Sequence, residues 1–199
     1  MKVYIDGENC RKGLARVLSD QGLIKNERTL INYRLRDLLE DVLASEGIEI
    51  CYYASKIKLP QGYTPSKAVL NHINVIRQYS RKWIPHLSSQ GIEYIKAGSL
   101  KVKSSKKCAN CGKTQDILQE KGVDVRIAID ALDDVYSKNK KHVVIMSSDT
   151  DLCPAMHRIQ SYNAHVTYVC FADAPNRAIA AVADETVTIS ISKARKYLK

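Results

Sequence analysis

The chain has 199 residues, of which 45% are apolar and 26% are charged. That length fills one globular domain and is short for two. No apolar run approaches the roughly 18 to 20 residues that span a bilayer, and the sequence opens into the apolar segment 2–6 without a leader pattern. Six scattered cysteines indicate reduced thiols rather than a disulfide framework. We therefore expect a cytoplasmic protein that does not contact membranes.

The positive charge is concentrated in one part of the chain. The formal net charge is +10, and residues 50–115 contain twelve lysine or arginine residues against a single acid, Glu93. The rest of the chain is close to neutral. A basic surface kept for solubility is one explanation, but this uneven distribution favours a polyanionic partner such as nucleic acid.

Apolar strands alternate with amphipathic helices along the chain. Strands are predicted at 2–6, 48–54, 92–97, 143–146, 164–169 and 187–191. Helices are predicted at about 10–19, 29–44, 66–84, 151–161 and 174–183, with another after Gly122. Asn9 is the expected cap of the first helix, and Pro85 is expected to end the third.

This alternation predicts an α/β fold with a doubly wound, mostly parallel, Rossmann-like sheet and helices on both faces. We expect one domain over 1–199. A lysine-rich, CxxC-bearing excursion at 98–117 has no core periodicity and is interpreted as an insertion or hairpin. A basic tail is expected at 192–199.

Four aspartates follow strands or open helices where such a sheet forms its crevice. Asp6 closes the first strand, Asp149 and Asp151 follow the strand at 143–146, and Asp124 lies in the first turn of the preceding helix. Clustered carboxylates repel one another unless a cation intervenes, and oxygen ligands select Mg²⁺ or Mn²⁺. Such a site suits phosphodiester hydrolysis. Singly, each acid can also be structural, for example Asp151 as a helix cap.

Three segments carry a resemblance to a known family. They are YIDGEN at 4–9, EKGVDV at 120–125 and SSDTDLCP at 147–154. In this order and spacing they resemble the signature blocks of the NYN domain, and more closely its LabA-like branch, within the PIN-like nuclease group. The similarity spans about residues 2 to 190.

The resemblance implies a PIN-like fold and a metal-dependent ribonuclease. It implies that Mg²⁺ or Mn²⁺ is surrounded by four carboxylates and that Asn9 orients a carboxylate or the scissile phosphate. The implied ligands are Asp6, Asp124, Asp149 and Asp151.

Four residues form a second tier of candidates. Glu120 and Asp130 sit where many relatives carry acids, but six residues of helix turn Asp130 about 240° away from Asp124, so both cannot face one point. Ser147 and Ser148 lie between the strand end and the acidic pair, and Ser148 stands where relatives commonly have glycine. That change adds a hydroxyl and removes backbone freedom.

Cys108-Ala-Asn-Cys111 has the spacing of half a zinc knuckle. Completion needs a Cys or His from elsewhere, His86 for example, or from a second subunit, which would make a homodimer. A vestigial or turn-forming pair is the alternative.

RNA is the expected partner, whether single-stranded or structured. Basic side chains interleaved with aromatic ones are typical of single-strand binding. The candidate RNA-binding residues are Lys67, Arg77, Arg81, Lys82, Trp83, Lys101, Lys103, Lys106, Lys107 and Lys113.

Other functions stay open at this stage. A non-catalytic RNA-binding or regulatory protein with a degenerate site explains the same basic segment. A phosphatase of the haloacid dehalogenase type is favoured by Asp6-Gly-Glu8, although Glu8 is an imperfect acid/base substitute. Dinucleotide binding is disfavoured, since no G-x-G-x-x-G follows the first strand.

Overall fold

The computed structural model describes residues 1–58, 66–104 and 116–198. Their strands are β1 (Lys2–Asp6), β2 (Glu49–Lys58), β3 (Glu93–Ser104), β4 (Asp116–Lys121), β5 (His142–Met146), β6 (His165–Phe171) and β7 (Glu185–Ile189). The α-helices are α1 (Gly7–Ser19), α2 (Leu35–Val42), α3 (Lys67–Ser89), α4 (Val123–Lys138), α5 (Cys153–Gln160), α6 (Arg177–Val182) and α7 (Ile191–Lys196). Short 3₁₀ helices cover Glu27–Asn32 and Thr150–Leu152.

All seven strands form one sheet in the order β4-β3-β2-β1-β5-β6-β7. Every neighbouring pair is parallel except β3 and β4, which are antiparallel. The mostly parallel α/β fold expected from the sequence is confirmed. Since β1 and β5 are adjacent and parallel, their carboxyl ends lie side by side at the same edge of the sheet.

The strands alternate their side chains between two apolar cores. Val3 and Ile5 of β1 pack into the core that contains α1, α2, α3 and α7, whereas Tyr4 packs into the core with α4, α5 and α6. Both faces of the sheet are therefore covered by helices. No helix within the described residues is long and apolar enough to cross a membrane.

β2, β3 and β4 extend past the level of Asp6, the last residue of β1. The sequence predicted that the third strand ends near residue 97, but β3 continues to Ser104 and pairs with β4 as two arms of a hairpin. The predicted excursion at 98–117 therefore begins and ends as strand. Residues 105–115, with Cys108 and Cys111, lie outside the described part of the chain.

The predicted helix at 29–44 is broken at Tyr33 and Arg34. The Tyr33 hydroxyl donates to the Ala194 carbonyl at 2.8 Å, and the Arg34 amide donates to the Tyr197 carbonyl at 3.1 Å. Contacts with the C-terminal segment thus replace helical hydrogen bonds at this point. The same contacts explain why much of the predicted basic tail forms α7, with Ala194 fully buried.

α3 continues through Pro85 to Ser89, whereas the sequence predicted an end before the proline. Pro85 has no backbone N–H and therefore removes one hydrogen bond from the last turns of α3. Trp83 and Leu87 are 4% and 0% exposed and hold the last turns against the sheet. Burial of these side chains offsets the local cost of Pro85.

Candidate functional site

Asp6 is the central side chain at the carboxyl edge of the sheet. Its Oδ1 accepts hydrogen bonds from the Glu8 and Asn9 amides, both at 3.0 Å, and so caps α1. Asn9 was the expected cap, but the helix begins three residues earlier and Asn9 lies inside it. The side-chain amide of Asn9 instead donates from Nδ2 to Asp6 Oδ2. This network fixes the orientation of the Asp6 carboxylate.

Gly7 allows α1 to start directly beside β2. A Cβ atom at this position would lie 2.3 Å from Tyr52 Cε1 and 2.6 Å from the Tyr53 carbonyl oxygen. The Tyr52 hydroxyl also donates to the Gly7 carbonyl at 2.7 Å. A residue with any side chain would push α1 away, and Asp6 with it.

The segment after β5 joins the same network. The Ser147 hydroxyl donates to Asp6 Oδ2 at 3.3 Å and accepts from the Asp149 amide at 3.2 Å. The Ser148 hydroxyl donates to Asn9 Oδ1 at 2.5 Å. Both second-tier serines therefore connect the carboxyl ends of β1 and β5.

Asp149 and Asp151 have different positions in this segment. Asp149 Oδ1 accepts from the Asp151 amide at 3.0 Å, so Asp149 caps the 3₁₀ helix and Asp151 is not the cap. The Asp151 side chain is exposed, and its backbone amide is the part that joins the network. The structure thus places Asp151 at the rim of the site.

Asp124 completes the cluster from the first turn of α4. Burial raises the pKa of Asp124 to about 6, with further contributions from the nearby carboxylates of Asp149 and Asp6. Among the described residues, Asp124 Oδ1 is buried and has no hydrogen-bond partner. The fold therefore brings Asp6, Asp124 and Asp149 together, with one carboxylate oxygen unsatisfied.

This donor set fits a hard divalent cation. The converging ligand atoms are carboxylate oxygens, which Mg²⁺ and Mn²⁺ prefer. A buried, unpartnered carboxylate oxygen among like charges is costly unless a cation or a proton neutralises it. The unsatisfied oxygen of Asp124 is the specific observation that favours a metal ligand here.

The two second-tier acids, Glu120 and Asp130, differ in their relation to the acidic cluster. Burial raises the pKa of Glu120, and the Asp6 and Glu8 carboxylates add to the shift, so Glu120 belongs to the electrostatic neighbourhood of the site. Asp130 instead accepts from Arg126 Nε at 2.8 Å and from the Tyr53 hydroxyl at 3.0 Å. Its carboxylate is engaged away from Asp124, as the helical turn between them requires.

Two cations flank the acidic cluster and were not singled out in the sequence. Arg11 and Lys12 contact Glu8 at 2.6 Å and 3.0 Å. Burial raises the pKa of Glu8, but hydrogen bonds from Arg11 and Lys12 outweigh this effect and leave that pKa below its ordinary value. A general acid needs a raised pKa. This arrangement therefore does not support Glu8 as the acid/base of a phosphatase.

Asn176 is a further residue that sequence reasoning missed. It caps α6 and donates from Nδ2 to the Ser148 carbonyl at 2.9 Å. It thereby ties the loop after β6 to the acidic segment after β5. The sequence predicted a helix at 174–183 with Asn176 inside it, and nothing in the sequence connected this residue to Ser148.

The predicted RNA-binding set is divided by the structure. Four basic side chains of α3 are exposed, namely Lys67, Arg77, Arg81 and Lys82. Lys101 of β3 is also exposed, on the hairpin. For Lys103 the structure gives the backbone position on β3. Lys106, Lys107 and Lys113 lie outside the described residues.

Trp83 was wrongly predicted to contact RNA. It is 4% exposed and packs against Tyr52 and Tyr79, with ring centroids 6.1 Å and 5.8 Å away. Trp83 follows Val69 by fourteen residues, which is close to four helical turns, so it lies on the buried face. A buried ring cannot stack on a base.

The fold and the site together define an open-sheet α/β protein with an acidic crevice at the carboxyl ends of its central strands. The chain belongs to the NYN domain family, whose model matches residues 1–191. The NYN domain is part of the PIN-like nuclease superfamily, and membership favours a nuclease.

One solved structure supports the fold assignment. It is the crystal structure of a protein of unknown function from Vibrio parahaemolyticus RIMD 2210633, with a TM-score of 0.50 and 17% identity over 94% of this chain and 91% of that one. At this identity the similarity concerns the fold alone. The search of curated proteins found no match.

Proposed function

We propose that this protein is a metal-dependent ribonuclease that hydrolyses RNA phosphodiester bonds at the carboxyl edge of its sheet. The observation that carries the proposal is the convergence of Asp6, Asp124 and Asp149, with Asp124 Oδ1 buried and unpartnered among the described residues. Membership of the NYN family supports the nuclease class.

Asp6, Asp124 and Asp149 would hold Mg²⁺ or Mn²⁺, with Asp151 at the rim as a further candidate ligand. When bound, such an ion would supply Lewis acidity and lower the pKa of a water molecule for phosphodiester hydrolysis. The protein holds Asp6 in place through two backbone amides, Asn9 and Ser147. Preorganised ligands need not rearrange when substrate binds, which favours catalysis.

The basic side chains guide the RNA to this edge. β2, β3 and β4 extend past the level of Asp6, and this extension carries Lys56 and Lys101 as exposed residues. α3 adds four exposed cations. Contacts from lysine and arginine to phosphates are independent of sequence, so they position RNA without selecting a particular one.

Cleavage of an end-labelled, mixed-sequence single-stranded RNA tests the proposal. The wild type is compared with Asp149→Asn and with Asp130→Asn, in Mn²⁺, in Mg²⁺ and in chelator. We expect metal-dependent cleavage that falls at least ~10²-fold in Asp149→Asn, because a metal ligand is lost. Asp130→Asn is the matched control, since this aspartate lies on α4 but contacts Arg126 and Tyr53 instead.

Two outcomes would contradict the proposal. Equal cleavage by the wild type and Asp149→Asn would place the activity elsewhere. Salt-sensitive RNA binding without cleavage in any divalent metal would favour the alternative, a non-catalytic RNA-binding or regulatory protein with a degenerate site.

Three finer predictions belong to the same proposal. They are that the chain belongs to the LabA-like branch, that Cys108 and Cys111 bind zinc, and that a homodimer completes the zinc site.

Sedimentation of the full chain with and without zinc, repeated with Cys108→Ser, tests the zinc site and the homodimer together. A dimer that needs both zinc and Cys108 is the expected result.

A further inference from the structure

A second group of ligand side chains lies at the opposite edge of the sheet. His142, His165 and Glu185 begin the neighbouring parallel strands β5, β6 and β7. His142 pairs with His165 in the strand register, and Glu185 pairs with Thr167. One ligand atom from each of the three side chains lies within 4.8 Å of the others.

The two imidazoles and the carboxylate are in close contact. The His142 and His165 rings are 4.9 Å apart between centroids and meet edge to face at 89°. His165 Nε2 is 3.7 Å from Glu185 Oε2. Three ligands at such separations need only small side-chain adjustments to coordinate one ion.

A buried hydroxyl positions two of these ligands. Thr167 is fully buried, and its Oγ1 lies 2.8 Å from His142 Nε2 and 3.1 Å from Glu185 Oε2, to which it donates. Polar groups that orient metal ligands from behind restrict their rotamers and strengthen metal binding. Thr167 occupies that position here.

The charge around His165 also favours a cation. The Asp184 carboxylate is 4.0 Å from His165 Nδ1 and accepts from the Val166 amide at 2.8 Å. Two carboxylates, Asp184 and Glu185, thus flank His165. The side chains of His165 and Glu185 are 47% and 54% exposed, so an ion can reach them directly from solvent.

We infer that His142, His165 and Glu185 form a binding site for a transition-metal ion of the Zn²⁺ class. Imidazole with carboxylate suits Zn²⁺, Ni²⁺ or Cu²⁺, whereas Mg²⁺ prefers oxygen ligands alone. Three protein ligands leave the remaining coordination to water. The site is separate from the proposed catalytic one, because it lies at the amino-terminal ends of the strands.

Zinc titration of the untagged full chain tests this site. The background carries Cys108→Ser and Cys111→Ser, so that these thiols do not contribute, and excess Mg²⁺ occupies the acidic edge. A chromophoric zinc chelator competes for the ion and reports its affinity. We expect one Zn²⁺ per chain, and affinity at least ~10-fold weaker in His165→Gln.

His157→Gln is the matched control. His157 is an exposed histidine on α5, outside the cluster, and its replacement is expected to leave zinc affinity unchanged. The imidazole proton resonances of His142 and His165, assigned with the variants, are expected to shift together on adding zinc. Circular dichroism and the melting temperature establish that each variant is folded.

The inference is overturned if zinc fails to bind in the cysteine-free background. It is equally overturned if His165→Gln binds as tightly as the control, since the network would then only stabilise this edge of the sheet. Neither outcome depends on RNA cleavage, so the test is independent of the proposed ribonuclease function.

Discussion

Two aspartates of α4, ten residues apart, are in opposite environments. α4 runs back from the carboxyl edge of the sheet, where Asp124 lies, to the start of β1, where Asp134 contacts Lys2. Asp134 is 2% exposed and accepts from Lys2 Nζ and the Tyr4 hydroxyl, both at 2.5 Å, and from Lys138 Nζ at 2.6 Å. Asp124 Oδ1 has no such partner among the described residues.

The pKa values of the two carboxyl groups shift in opposite directions. Burial raises the pKa of Asp124 to about 6. Burial also raises the pKa of Asp134, but hydrogen bonds from Lys138, Lys2 and Tyr4 outweigh it and lower the pKa to about 2. A buried acid paired with cations stabilises the fold, whereas a partly buried acid among like charges stores an unfavourable interaction that a cation can relieve.

Asp124→Asn gives the largest expected effect. Cleavage is expected to fall at least ~10²-fold, because the partly buried carboxylate is a proposed metal ligand. The metal-free protein at pH 8 is expected to be as stable as the wild type or about 1 kcal/mol more stable, because the variant lacks the repelled carboxylate. Cleavage rates and urea denaturation in chelator measure the two effects.

Mg²⁺ sharpens this first prediction. Saturating Mg²⁺ is expected to raise the melting temperature of the wild type and to leave Asp124→Asn nearly unchanged, since only a ligand that prefers the folded state stabilises it. Equal stabilisation of both proteins would show that Asp124 does not bind the ion.

Asp134→Asn is expected to have the opposite profile. The substitution removes the negative charge and one of the two acceptor oxygens that Lys2, Tyr4 and Lys138 share, and it is expected to cost about 2 to 3 kcal/mol of unfolding free energy. Cleavage well below the melting temperature is expected to stay within about 2-fold of the wild type, since the residue lies at the far end of α4. A large loss of cleavage by fully folded Asp134→Asn protein would contradict the distinction between a catalytic Asp124 and a structural Asp134.

The pH dependence of stability provides a smaller effect with a defined sign. The pKa of Asp134 is lowered from 3.8 to about 2. Its stabilisation is therefore fully present above about pH 4 and is lost as the pH falls toward about 2. Unfolding free energies of the wild type and Asp134→Asn are expected to converge over this interval. A constant difference between the two unfolding free energies across this pH interval would contradict the pairing of Asp134 with Lys2, Tyr4 and Lys138.

Arg81→Gln is expected to have the smallest effect. Arg81 is exposed on α3, so its loss is expected to weaken RNA binding a few-fold and to lower the slope of log affinity against log salt by about 1 at most. Stability is expected to change by less than about 0.5 kcal/mol. Gln78→Ala, an exposed neutral neighbour on the same helix, is the control.

Apolar patterning was sufficient for the main elements of the fold. Residues 3–5 of β1 and 143–146 of β5 are buried, so these segments had to be apolar. Asp6 closes β1, and Asp149 follows the end of β5 by three residues. The buried stripe of α3 includes Trp83, and its spacing from Val69 was visible in the sequence. The prediction that Trp83 contacts RNA was wrong because it rested on the mixture of basic and aromatic residues and did not consider which face of the helix Trp83 occupies.

Element ends were decided by contacts that no local pattern contains. The break at Tyr33 depends on Ala194 and Tyr197, more than 160 residues away. The continuation of β3 beyond residue 97 depends on its pairing with both β2 and β4. The backbone at these positions satisfies its hydrogen bonds with distant segments, which local propensity does not describe.

The sequence by itself determined the strand and helix alternation, the acids that follow the central strands and the concentration of basic residues, since each depends on residue type and spacing. The tertiary structure alone decided which acids meet and which are paired. Asp124 and Asp134 carry the same carboxyl group on the same helix. Only the packing of α4 on the sheet brings one to Asp6 and Asp149 and the other to Lys2 and Tyr4, because the energy of a carboxylate depends on its neighbours and its exposure to water.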